Sequence, residues 1–131
     1  MPEPIDDVSI GDDERLLHRI RIEDIFTDPH TGHRRPSSAT FRSKSNIISV
    51  DLASLTTPDN ALAAYPHHAL VEIDVGTVRS LGCKVVRDPH PDNPSHVLLY
   101  GSGPDGRMTK SQAREIVSRC RWVLVEPVPN D

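Results

Sequence analysis

The chain is poor in aromatic rings, with two Phe, two Tyr and one Trp in 131 residues. That scarcity argues against the stacking platforms on which single-stranded nucleic acids are read, so weak nucleic-acid contact or none is expected. Cysteine is almost as rare: Cys83 and Cys120 stand alone, without a CxxC partner. This argues against a disulfide framework or a cysteine-based zinc site, and both are expected as reduced, buried, apolar side chains. No apolar run approaches the roughly 20 residues that a membrane-spanning helix needs. The opening MPEPIDDVSIGDD is acidic where a secretory leader is basic and then apolar. The expectation is a cytoplasmic protein with no membrane partner.

Acidic side chains are missing altogether between Pro29 and Val50, although the whole chain carries a net charge of −4. The first six charged residues, Glu3, Asp6, Asp7, Asp12, Asp13 and Glu14, are all acids. The rest of the chain holds 15 bases against 13 acids, a balance of +2. Within the acid-free window Arg34, Arg35, Arg42 and Lys44 contribute +4, with His30 and His33 beside them. A local positive patch follows. The contrast predicts a flexible acidic arm over 1–13 that screens the basic stretch, a single domain over 14–128, and a disordered tail over 129–131.

Periodicity supplies the elements. RLLHRIR alternates as a strand, NIISVDL and HALVEIDV follow the same habit, and CKVVRDP and SHVLLYG read as an antiparallel pair across the proline-rich DPHPDNP. Thr57 and Pro58 open a short helix stopped by Pro66, with Leu62 and Tyr65 expected inward. GTVRSLG reads as a second helix with Gly82 as its C-cap. Thr109 caps a helix over 110–121 whose Ala113, Ile116, Val117 and Cys120 recur at helical spacing, and WVLVEP closes as a strand. DPHTGHRRPSS, broken by Asp-Pro and Thr-Gly, is expected as loop. The fold class is α+β: a single mixed, largely antiparallel sheet of four to six strands, with two or three short helices mainly on one face.

The basic loop is the first chemical candidate. Arg34, Arg35 and Arg42 offer planar donors that match phosphate or carboxylate, and Ser37 and Ser38 add hydroxyls, so these five residues are the expected anion-binding set. His96, just before an apolar strand, is the candidate catalytic acid or base, because its ordinary pKa lies nearest neutrality. Neither a metal nor a cofactor is called for. No HxH, HExxH or His–Cys spacing occurs, and His67 and His68 would face opposite sides of a strand. GSGPDG has the glycines of a dinucleotide loop, but Pro104 and Asp105 interrupt the run into a helix. Two functions fit: binding of a phosphate-bearing ligand, a nucleotide or nucleic-acid phosphate, with His96 acting on it; or a non-catalytic module that recognises an acidic segment of a protein partner.

Overall fold

The computed structural model describes residues 4–42 and 47–123. Lys44, the start and end of the runs expected as strands at 46–52 and 122–127, and the tail 129–131 lie wholly or partly outside them. Among the described residues eight strands form, β1 Arg15–Arg21, β2 Ile25–Thr27, β3 Arg34–Pro36, β4 Ile48–Leu52, β5 His68–Asp74, β6 Lys84–Arg87, β7 His96–Tyr100 and β8 Arg121–Trp122. Three helices join them: α1 Pro58–Leu62, α2 Val75–Ser80 and α3 Lys110–Arg119. The main sheet runs β6-β7-β4-β1-β5-β8, and β2 and β3 form a separate ribbon. Every pairing among the described residues is antiparallel, and the fold is α+β as expected, with no parallel pair among them to make the sheet mixed. No helix among the described residues is long and apolar enough to cross a membrane.

Cross-strand partners in an antiparallel sheet project from the same face, and the face alternates along each strand. One row of partners contains Val97, Val50, Val71 and Trp122, with His18 opposite Val71. These valines belong to the main core, where Ala113, Ile116 and Val117 of α3 and Val75 and Val78 of α2 cover the sheet. The next row contains His96, Asp51, Leu17, Glu72 and Arg121, and it faces the other way. There α1 covers only a small patch around Leu17, Ala61 and Leu70. We call these the α3 face and the α1 face.

Local chemistry explains the helix ends. Thr57 Oγ1 accepts the Asn60 amide at 3.1 Å to start α1. Thr109 and Gln112 form a reciprocal capping box on α3, each backbone amide meeting the other's side chain at 3.0 Å. Gln112 also accepts from the Ser102 amide and donates to the Leu81 carbonyl, which ties the GSGPDG turn to α2. A side chain at Gly101 would overlap the Arg107 carbonyl and the Met108 backbone, so close chain approach, not phosphate binding, accounts for that glycine. Gly82 follows α2 with a φ of +90°, the left-handed conformation expected after a helix.

Four details depart from the sequence reading. Arg34–Pro36, expected as loop, pairs with β2 as a short strand. The helix expected to run to Arg121 stops at Arg119, because Cys120 turns extended to begin β8. Tyr65 does not point inward: it is 41 % exposed and lies over the Arg19 guanidinium at 3.9 Å. The acidic segment, expected as a mobile arm, packs on the body over residues 4–13. Ile10 is fully buried, the Asp7 amide donates to the Val85 carbonyl at 2.8 Å, and Arg79 is held by Asp6 and Asp12. Among the described residues its charges meet Arg79 and Arg87.

Candidate functional site

The basic segment sits on the α3 face. A 3₁₀ turn over Ser38–Phe41 follows β3, and Phe41 is driven into the main core. Ser37 caps that turn by accepting the Ala39 amide at 3.2 Å. The Thr40 carbonyl accepts a hydrogen bond from His18 Nε2 at 2.7 Å, and the Arg34 carbonyl accepts one from Trp122 Nε1 at 3.1 Å. These anchors hold the segment between β8 and α3. A cleft of about 410 Å³ then opens, lined by Phe26, Arg35, Pro36, Ser37, Ser38, Arg114 and Val117. A second, of about 320 Å³, shares Arg35, Pro36 and Val117 with it and adds His33, Arg34 and Arg121.

The arginines differ in how far they are committed. Arg35 donates to Asp28 at 3.1 Å; the His30 amide first, and then this bond, hold the Asp28 carboxyl below its ordinary range. Arg121 is shared between Glu72 and Asp74. Arg114 makes no hydrogen bond or ion pair among the described residues, nor does the Ser38 hydroxyl. Phe26 is 47 % exposed at the rim. Arg42 is exposed at the end of the turn and lines neither cleft.

The α1 face is built differently. Asp51 is buried in the sheet and accepts from Arg19 at 2.8 Å, from Asn93 at 3.0 Å and from Ser95 at 3.1 Å. Arg19 also donates to the Ala61 carbonyl at 3.2 Å. The network floors a cavity of about 460 Å³ between α1 and the loop 92–95, with Leu55, Asn60 and Tyr65 on its walls. Every polar group named is satisfied by another, which is what a buried charge requires.

Asp51 therefore fixes the loop that precedes β7. Asn93 exchanges two backbone hydrogen bonds with His90, at 3.0 and 3.1 Å, so the tip of DPHPDNP is a tight turn. His96, at the start of β7, lies opposite Asp51 on one side. On its other side His96 Nδ1 lies 3.0 Å from Asp88 Oδ2, and His90 Nε2 lies 3.2 Å from the same oxygen. The two rings meet edge to face at 4.8 Å. One ligand atom from each of Asp88, His90 and His96 falls within 4.8 Å of the others, the only such grouping among the described residues.

The structure thus brings Arg34, Arg35, Ser37 and Ser38 to one surface, adds Arg114 from a distant part of the chain, and leaves His96 on the opposite face of the sheet. A single site combining the arginines with His96 is ruled out by this geometry. Asp51 and Arg19 went unremarked in the sequence because each sits in an ordinary-looking strand, and only the pairing register makes them neighbours. Cys120 lines the second cleft, and burial pushes both its thiol and that of Cys83 up to about 11, which keeps them protonated near neutral pH. Among family models, curated proteins and solved structures, none matches the chain.

Proposed function

We propose that the protein is a recognition module that binds an acidic or phosphorylated segment of a protein partner along the α3 face. The observation that carries this reading is the cleft in which Arg35 and Arg114, 79 positions apart in sequence, converge with Ser37, Ser38 and an exposed Phe26. Two guanidinium groups and two hydroxyls provide directed donors for carboxylate or phosphate oxygens, and Phe26 provides an apolar contact beside them. The two clefts share Arg35, Pro36 and Val117, so they form an open strip that suits an extended segment better than an enclosed small molecule.

The test is fluorescence anisotropy with labelled acidic peptides, their phosphorylated versions and a neutral control, with ATP as a small-molecule competitor. Arg35→Ala and Arg114→Ala should each weaken peptide binding about tenfold or more, since a hydrogen bond to a charged group contributes about 1.5–3 kcal/mol. The losses should be less than additive, and affinity should fall with salt. His96→Ala should have no effect. Equal binding of neutral and acidic peptides, or indifference to both arginine substitutions, defeats the proposal. Binding of ATP alone would reassign the cleft to a small ligand.

A further inference from the structure

We infer that Asp88, His90 and His96 form a binding site for one divalent transition-metal ion, zinc being the best match, with a fourth position open to solvent. A tetrahedral zinc ion with bonds of about 2.0–2.2 Å to nitrogen and carboxylate oxygen holds its ligand atoms about 3.3 Å apart. The two edges that meet at Asp88 Oδ2 are 3.0 and 3.2 Å. All three ligand atoms fall within a 4.8 Å span, and an ion at their centre takes the place of the proton that His96 Nδ1 donates to the Asp88 carbonyl at 3.1 Å. Two imidazoles and one carboxylate also form the nitrogen and oxygen set that zinc accepts.

Rigidity distinguishes this cluster from histidines that are merely close. The proline-rich loop is closed by the His90–Asn93 bridge, and Asn93 is tied by its side chain to Asp51 in the sheet. Ser95, one residue before His96, is tied to the same carboxylate. The His96 side chain is 15 % exposed, whereas those of Asp88 and His90 are 42 % and 50 % exposed. One ligand is therefore set into the structure and two face outward, which gives an ion a path in and a position for water. The absence of HxH or HExxH spacing is no obstacle, because the ligands come from the two ends of a loop and its tip. Across the turn, Asp88 and His96 are neighbours, the Asp88 amide donating to the His96 carbonyl at 3.0 Å.

The experiment is titration of the full chain, freed of metal by chelator, with zinc by calorimetry and with cobalt by visible absorption. The expected result is one zinc per chain and the intense bands of four-coordinate cobalt. His90→Ala, His96→Ala and Asp88→Asn should each weaken zinc at least tenfold, while His30→Ala, His33→Ala and His67→Ala leave it unchanged. Circular dichroism identifies any variant that fails to fold, and His90→Ala, at an exposed position, keeps the test decisive if His96→Ala does so. Failure to bind zinc at micromolar concentration, octahedral cobalt spectra, or equal weakening by His30→Ala would overturn the inference.

Discussion

The two faces of the main sheet are one pleat apart and follow opposite rules. The α3 face is covered by an apolar core, and its charges belong to a segment laid over the rim. The α1 face carries a charge inside the sheet itself, Asp51, with Arg19, Asn93 and Ser95 converging on it. Both faces present a loop rich in histidine and proline. On the first, the loop is held by backbone contacts, and Arg35 is paired at the surface with Asp28; on the second, a buried carboxylate holds the loop. The number of charges in a stretch thus says little about their use, and what anchors them decides whether they can be spent on a ligand or are committed to the fold.

The largest expected effect tests the dry side of this contrast. Ile116→Asp should remove on the order of 4 kcal/mol or more, because it places an unpaired charge in the core beneath α3. A urea midpoint near that of the unaltered chain would mean that α3 does not cover the sheet. Next, Asp51→Ala should cost about 3 kcal/mol, since it strands a largely buried Arg19 and releases Asn93 and Ser95 together. It should also weaken zinc binding, whereas Asp28→Ala, which removes the acceptor of the His30 and Arg35 bonds, should cost less stability than Asp51→Ala and leave zinc binding unchanged. Equal behaviour of the two aspartates would erase the distinction drawn between the loops.

The smallest effect concerns His18, a titratable group on the α3 face. Burial holds its pKa below the ordinary value of 6.5, outweighing the opposing carbonyl contact from Thr40. The unfolded chain then takes up a proton that the folded chain refuses as pH falls below about 6.5. Stability should therefore be fully present above that pH and decline towards pH 5. His18→Gln should flatten the decline in urea midpoints measured from pH 7 to pH 5. A midpoint in the unaltered chain that does not move over that range would place His18 in water.

Much of the fold was legible because local signals and packing agree. The spacing of Ala113, Ile116 and Val117 and the Thr109 cap both mark α3, and alternation marks β1, β5, β6 and β7. Arg34–Pro36 was hidden because a three-residue strand carries no periodicity and its partner β2 is equally short. The candidate sites were half legible. Arg35, Ser37 and Ser38 are consecutive enough to be seen as a group, but Arg114 joins them only through the docking of α3. His96 stands out in the sequence as a lone acid or base, but its grouping with Asp88 and His90 does not, because their closeness comes from a turn and a strand pairing and no fixed spacing encodes either. Ile10 shows the same limit in another form, since one isoleucine in an acidic stretch gives no warning that it is a core residue.

The contact between the N-terminal segment and β6 has a meaning apart from the cohesion it adds. β6 is the outermost strand at its end of the sheet, and its VV centre is the kind of sequence that pairs readily with a strand from another molecule. Val85 would offer both an amide and a carbonyl for such pairing. The carbonyl is taken by the Asp7 amide and the amide by the Asp6 carboxylate at 2.9 Å, while Lys84 is drawn to the Pro4 carbonyl. Because the amide meets a side chain instead of a backbone, the added segment does not continue the ladder as a true strand and so presents no fresh template of its own. At the other end of the sheet, among the described residues, β8 spans Arg121–Trp122. The acidic segment thereby occupies the outward amide and carbonyl of Val85, the groups through which this edge would otherwise pair with another strand, and sets two carboxylates beside them.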